Sequence, residues 1–180
     1  MEEKREKKSV FLIGFMGVGK SSITLELGQL LGLDTVEMDE WIVQQEGRSI
    51  PELFDQNGEA YFRQVESAAV VTLGAGEPRV ISCGGGVPLR AENVENMKRY
   101  GTVVLLTAQP ETIFQRVRHD QNRPLLKDHM SVEYIASLMA QRQPYYDNAA
   151  ELRVSTDGKT TGEISREIVA LLQEREQFAT

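Results

Sequence analysis

Gly14-Phe15-Met16-Gly17-Val18-Gly19-Lys20-Ser21 spells G-x-x-x-x-G-K-[ST], and its flanks turn a short pattern into a folding unit. The preceding Ser9-Val10-Phe11-Leu12-Ile13 is an apolar run suited to a buried parallel strand. Beyond the loop, Ile23, Leu27, Leu30 and Leu31 recur at helical spacing. Strand, glycine loop and helix in that order aim backbone N–H groups and the positive helix end at phosphate. Gly14, Gly17, Val18, Gly19, Lys20, Ser21 and Ser22 are therefore the expected cradle for the phosphates of a nucleoside triphosphate. Lys20 would reach the β- and γ-phosphates, and the Ser21 hydroxyl would ligate Mg²⁺. An ordinary glycine turn is the alternative, and the flanking strand and helix argue against it.

Working outward, strand-like and helix-like segments alternate, which implies an α/β fold with a parallel sheet. Strands are expected at Ser9 to Ile13, Thr35 to Met38, Arg79 to Ser82, Thr102 to Leu106 and Leu152 to Ser155. Ser49-Ile50-Pro51-Glu52 and Thr160-Thr161-Gly162-Glu163 are capping boxes, so a helix starts at each, and Pro110 starts another. The last of these boxes precedes a core-facing stripe of Ile164, Ile168, Leu171 and Leu172. With 180 residues the chain has the length of one domain, its core expected over about 9–172 and its charged ends frayed. Residues 119–130 are polar, lack a period and contain Asn122-Arg123-Pro124. Between two helices, such a stretch reads as a lid over phosphates, with a solvated connector as the plain alternative.

Charge and composition narrow the partners. A net charge of −7 argues against nucleic acid, and no stretch has the length and apolarity of a membrane span. One cysteine cannot form an internal disulfide, and the N-terminus has no apolar signal core, so the expected compartment is cytoplasmic. We expect small-molecule substrates and a monomer.

Three further features carry chemistry. Glu37 and Asp39 stand two residues apart, hence on one side of an extended strand, at the sheet end where ligands gather in open α/β folds. A cation or a substrate hydroxyl between them would relieve their repulsion; alternatively, Asp39 charges the start of the next helix. Gly84-Gly85-Gly86 follows the apolar strand ending at Ser82 and leaves the backbone free to approach a ligand. Cys83, with no histidine nearby in the sequence, reads as a small packed residue. Arg63, Arg116, Arg123 and Arg142 would individually be unremarkable surface cations.

Taken in order, these pieces resemble shikimate kinase over nearly the whole chain, from about Ser9 to Leu172. The resemblance rests on Gly14 to Ser21, the acidic pair ending in Asp39, and Gly47-Arg48-Ser49-Ile50 with Gly58-Glu59 and Phe62-Arg63. It continues through Gly84-Gly85-Gly86, Asn122-Arg123-Pro124-Leu125-Leu126, and Arg142 with Pro144 and Tyr145. It implies a P-loop fold of the nucleoside-monophosphate-kinase type, a five-stranded parallel sheet of order 2-3-1-4-5 flanked by helices. It also implies transfer of the ATP γ-phosphoryl group to the 3-hydroxyl of shikimate, with Mg²⁺, in aromatic amino-acid biosynthesis.

Residue by residue, the resemblance makes Lys20, Asp39 and Arg123 catalytic. Arg63 and Arg142 would take the substrate carboxylate, Gly84, Gly85 and Gly86 would add backbone contacts, and Phe54 and Phe62 an apolar wall. Arg116 would cover adenine. At two positions the chain needs comment: Glu37 stands where the family usually has Asp, and would meet Mg²⁺ through water. Ser82 stands where many P-loop enzymes carry Asp, and would serve the outer shell of the metal. Two rival readings stay open, a kinase of another hydroxy acid such as gluconate, and a non-catalytic nucleotide-binding domain.

Overall fold

The computed structural model describes residues 7–119 and 130–178. The expected lid, apart from His119 and Met130, and with it Arg123, lies outside the described residues.

Five strands, β1 (Ser9–Ile13), β2 (Asp34–Glu37), β3 (Arg79–Ser82), β4 (Gly101–Thr107) and β5 (Leu152–Ser155), form one sheet of order β2-β3-β1-β4-β5. Every pairing is parallel. The expected fold class is thus the observed one. β1 lies at the centre and is buried along its whole length, which is why its sequence is continuously apolar rather than alternating. Both faces are covered by helices α1 (Lys20–Leu31), α2 (Met38–Glu46), α3 (Ile50–Gly74), α4 (Ala91–Tyr100), α5 (Pro110–Val117), α6 (Val132–Ala149) and α7 (Thr161–Phe178).

Register decides what meets at the carboxyl end of the sheet. Leu12 pairs with Ser82, and Ser82 in turn with Glu37, so the ends of β1, β3 and β2 line up side by side. The P-loop leaves β1 at that edge. β1 also sits where successive connections part to opposite sides of the sheet, the position at which open α/β sheets bind ligands.

Local signals explain most element starts. Ser49 Oγ accepts from the Glu52 amide at 3.3 Å while Glu52 Oε2 accepts from the Ser49 amide at 2.8 Å. Thr160 and Glu163 do the same at 3.2 and 2.7 Å. Two expectations need correction. β2 stops at Glu37, because Met38 turns into α2 and is buried there. Glu37 and Asp39 therefore do not share one strand face: the first ends a strand and the second lies in the first turn of a helix. At the other end, α7 is described as far as Phe178.

One glycine shapes the acceptor side of the molecule. Gly58 interrupts α3 with φ 82° and ψ 169°, a region essentially closed to other residues. The break splits α3 into a short capped arm and a longer arm carrying Phe62, Arg63 and Glu66.

Candidate active site

The P-loop wraps the start of α1. Gly19 precedes the helix with φ 101°, so its missing side chain permits the turn that points the first amides outward. Gly17, with φ 78°, has the same backbone reason and a steric one as well: a Cβ there would come within 2.6 Å of Val117 Cγ1, where α5 packs onto the loop. Val18 is buried in the hydrophobic core and anchors the loop from beneath. Lys20 Nζ donates to the carbonyls of Gly14 at 2.6 Å and Phe15 at 3.3 Å, curling back over its own loop.

Lys20, Ser21 and Ser22 form one wall of a cavity of about 310 Å³, and Glu37, Asp39, Ser82, Gly84 and Gly85 form the other. Residues from β2, α2 and β3 thus face the P-loop, although Glu37 and Asp39 come from different elements. Burial pushes the Glu37 carboxyl above its ordinary value, and hydrogen bonds from the Ser82 and Ser21 hydroxyls oppose that rise. Ser21, Glu37 and Ser82 are consequently one connected oxygen cluster. Its hard oxygen donors suit Mg²⁺, which keeps several waters and takes few protein ligands. Among the described residues, no group of three or more His, Cys, Asp or Glu gathers as a metal cage. Cys83 is buried and its thiol is pushed strongly upward by desolvation, which fits a packed residue and not a nucleophile.

The glycine triplet explains itself once its neighbours are named. A Cβ on Gly84 would lie 2.9 Å from Asp39 Oδ1 and 3.1 Å from Glu66 Oε2. On Gly85 it would lie 2.9 Å from an Arg142 guanidinium nitrogen, and on Gly86 only 2.2 Å from one of Arg63. Three successive positions are bare because four charged groups, two carboxylates and two guanidiniums, press on them. The strip brings together Asp39 from α2, Arg63 from α3 and Arg142 from α6, three residues separated by up to a hundred positions in sequence.

Around this strip the supports are specific. Arg63 Nη1 donates to Glu66 Oε1 at 2.7 Å, and the Arg63 carbonyl accepts from Arg90 and from the Ser67 hydroxyl, both at 3.0 Å. Burial raises the Glu66 carboxyl, while Arg63 pulls it down. Tyr146 is buried and donates its hydroxyl to the Gly85 carbonyl at 2.9 Å. Phe54 and Phe62 pack with ring centroids 4.9 Å apart, and the Arg63 guanidinium sits 5.5 Å from the Phe62 ring centre. Phe62 is mostly core, so Phe54 is the more accessible of the two.

Arg116, expected over adenine, lies between the P-loop and the segment after β5. From the last turn of α5 its Nη1 donates to the carbonyls of Gly17 at 3.2 Å and Val18 at 3.0 Å. A third contact reaches Thr156 Oγ1 at 3.3 Å, so this guanidinium braces the P-loop against the segment after β5. Glu66, Tyr146 and Arg90 were not singled out from sequence. Spacing held a signal for two of them: Glu66 follows Arg63 by three residues and Tyr146 follows Arg142 by four, both on helices.

Comparison with known proteins adds an independent line. The family model for shikimate kinase matches residues 16–173. A shikimate kinase of Geobacter metallireducens is 42% identical over 168 residues, covering 93% of each chain. Among solved structures, the shikimate kinase of Acinetobacter baumannii in complex with shikimate superposes with a TM-score of 0.87 at 30% identity, over 94% of each chain. A gluconokinase of Sinorhizobium meliloti reaches a TM-score of 0.59 at 18% identity, over 98% of this chain and 99% of its own, a likeness of fold alone.

Proposed function

The chain belongs to the shikimate kinase family, ATP-dependent kinases of shikimate, and from that premise we propose that it phosphorylates the 3-hydroxyl of shikimate. The observation that carries the reading is the glycine strip, where a carboxylate and two guanidinium groups converge beside a phosphate cradle. A gluconate kinase shares the fold, and the two guanidinium groups would suit its carboxylate as well; the family match is what favours shikimate, and the acidic and basic groups on the strip go beyond what nucleotide binding alone requires.

Phosphoryl transfer is achieved by positioning and charge neutralisation more than by covalent help. The amides from Gly17 to Ser22 cradle the ATP phosphates, with Gly14 closing the loop behind them. Lys20 gives up its loop carbonyls for the β- and γ-phosphate oxygens, an exchange of neutral for charged acceptors that strengthens the bond. Ser21 would hold Mg²⁺, with Glu37 contributing through a water and Ser82 as an outer partner, and the ion would supply charge neutralisation on the phosphates. Arg123 we assign to the transferring phosphoryl group, and residues 119–130 to the lid that excludes water, both on family resemblance. Arg116 shapes the P-loop and flanks adenine.

On the acceptor side, Arg63 and Arg142 bind the carboxylate of shikimate with forked guanidinium groups. The amides of the Gly84 to Gly86 strip add contacts, and Phe54 with the edge of Phe62 walls the ring. Asp39 accepts a hydrogen bond from the attacking hydroxyl, orients it in line with the γ-phosphorus and takes its proton. The short side chain of Asp39, fixed in the first turn of α2, gives it little freedom to move. Net charge and small substrates agree with a cytoplasmic monomer that engages no nucleic acid; among the described residues no helix is long and apolar enough to cross a membrane.

The test is an ADP-release assay with MgATP and a panel of hydroxy acids, repeated with Asp39→Asn. Shikimate should be the best acceptor, and Asp39→Asn should lower kcat by about 10²–10⁴ with little change in ATP binding. Gluconate outperforming shikimate would overturn the substrate. A matching loss of ATP affinity in Asp39→Asn would move Asp39 from the hydroxyl to the metal or the fold.

A further inference from the structure

We propose that Tyr146 is a positioning residue for acceptor recognition, locking the Arg142 guanidinium and the Gly85 peptide into one rigid carboxylate-binding unit. The inference rests on the reading of Arg142 as a carboxylate ligand.

Three observations lead there. The Tyr146 ring is buried, and its hydroxyl donates to the Gly85 carbonyl at 2.9 Å. A Cβ placed on Gly85 would sit 2.9 Å from an Arg142 nitrogen and 3.6 Å from the Tyr146 oxygen, so both side chains close on the same backbone point. Arg142 and Tyr146 stand one helical turn apart on α6, and the nearby guanidinium opposes the upward push that burial gives the Tyr146 phenol. A phenol has one proton to donate and lone pairs to accept. Here the proton goes to Gly85, against which the Arg142 guanidinium also packs, so the hydroxyl works through its neighbours.

The consequence is mechanical. Arg142 has a long side chain whose free rotamers would spread its fork over several directions, and recognition of a carboxylate by two parallel bonds needs one. The Gly85 peptide has an equivalent freedom, since no side chain restricts its flip. The hydroxyl fixes the peptide, and the fixed peptide with the buried ring gives the guanidinium one surface to pack against. Pro144, lying between the two residues in α6, cannot donate a backbone hydrogen bond, so the helix there depends more on such tertiary ties. Tyr145, by contrast, is half exposed and has no such partners among the described residues.

Tyr146→Phe keeps the ring and removes only the hydroxyl. It should raise the KM for shikimate about tenfold, the scale of deleting one partner from a buried bonded group. The KM for ATP should stay within about twofold, and Tyr145→Phe should be silent. The carboxamide analogue of shikimate, which lacks the anion, should show a much smaller change. In an Arg142→Lys background, Tyr146→Phe should add less than about twofold, because residues acting as one unit are not additive. A Tyr146→Phe enzyme with unchanged shikimate KM would overturn the inference, as would a full tenfold penalty persisting beside Arg142→Lys. Harmless Arg142→Lys would remove the carboxylate reading itself; damaging Arg142→Lys with harmless Tyr146→Phe would sink this inference alone. A thermal melt separates either result from loss of fold.

Discussion

Adding one methyl group to Gly86 should disable the enzyme while leaving the protein folded, and the structure gives the size of both effects. Gly86 has φ −90° and ψ −10°, a conformation any residue adopts, so alanine brings no backbone strain. It even removes some freedom from the unfolded chain, worth about 0.4–1 kcal/mol in favour of folding. The difficulty is the side chain opposite. The new Cβ would lie 2.2 Å from an Arg63 guanidinium nitrogen, 2.8 Å from Cζ and 3.0 Å from the second nitrogen.

Neither backbone can retreat easily. The Arg63 carbonyl is held by Arg90 and Ser67 at 3.0 Å, and the glycine loop by Val87 N to Gly84 O and Leu89 N to Gly86 O, both at 3.1 Å. Relief must come from the guanidinium, which has to shift by about 1.2 Å to regain ordinary contact near 3.4 Å. That movement strains its 2.7 Å bond to buried Glu66, a cost that offsets the entropic gain, so net stability should stay within about 1 kcal/mol of the parent. Activity should not survive so well: a misplacement near 1 Å in a positioning group costs on the order of 10²-fold in rate. The assay is ADP release with shikimate as the varied substrate, beside a thermal melt. Gly86→Ala with kcat/KM for shikimate within threefold of the parent would refute the reasoning, because Arg63 would then not depend on the bare position. Gly58→Ala is the converse control. Nothing lies within 4 Å of a Cβ there, so only φ 82° opposes it, and the expected signature is a stability loss of about 1–3 kcal/mol.

Further outcomes follow from the same geometry. Lys20→Met should cost about 3 kcal/mol of transition-state stabilisation, a hundredfold or more in kcat, with the melt little changed; retention of half the activity would exclude Lys20 from the chemistry. Glu37→Asp should shift the Mg²⁺ requirement by less than about fivefold, since an intervening water absorbs one methylene, while Glu37→Gln should raise it more; the reverse order, read from Mg²⁺ titrations of activity, would make Glu37 a packing residue. Burial holds Glu66 above its unfolded value, so the native state binds that proton more tightly. Its contribution to stability is full below the ordinary glutamate range and is lost as pH rises through the higher folded value. Denaturant melts across the weakly acidic range should therefore show a fall with rising pH that Glu66→Gln flattens; an unchanged slope would mean Glu66 does not titrate there.

How much of this was legible in the sequence depends on how local each cause is. The P-loop could be read because its determinants are contiguous: strand, glycines and helix follow one another within about two dozen residues. Capping boxes at Ser49 and Thr160 were readable for the same reason, since each is a reciprocal pair of bonds spanning three residues. β2 was misjudged by one position because Met38 is apolar and buried, and burial alone does not distinguish a last strand residue from a first helical one. That single step changed how Glu37 and Asp39 meet the cavity, although both still line it.

The acceptor side was legible only as a set of isolated residues. Nothing local in Gly84-Gly85-Gly86 says that the three glycines face, in turn, a carboxylate pair, one arginine and another arginine. That order exists only after α2, α3 and α6 have packed over the end of β3, and it assigns each glycine a different reason to lack a side chain. The supporting groups were harder still, because Glu66 and Tyr146 are buried polar residues and read from sequence as ordinary members of a helix. Burial gives them their effect. An exposed tyrosine beside Arg142 would lose its bond to water and leave the guanidinium free, whereas a buried one has no competing partner. The same desolvation that would penalise these groups if unpaired makes their pairings specific, so the precision of the strip depends on keeping its supports dry.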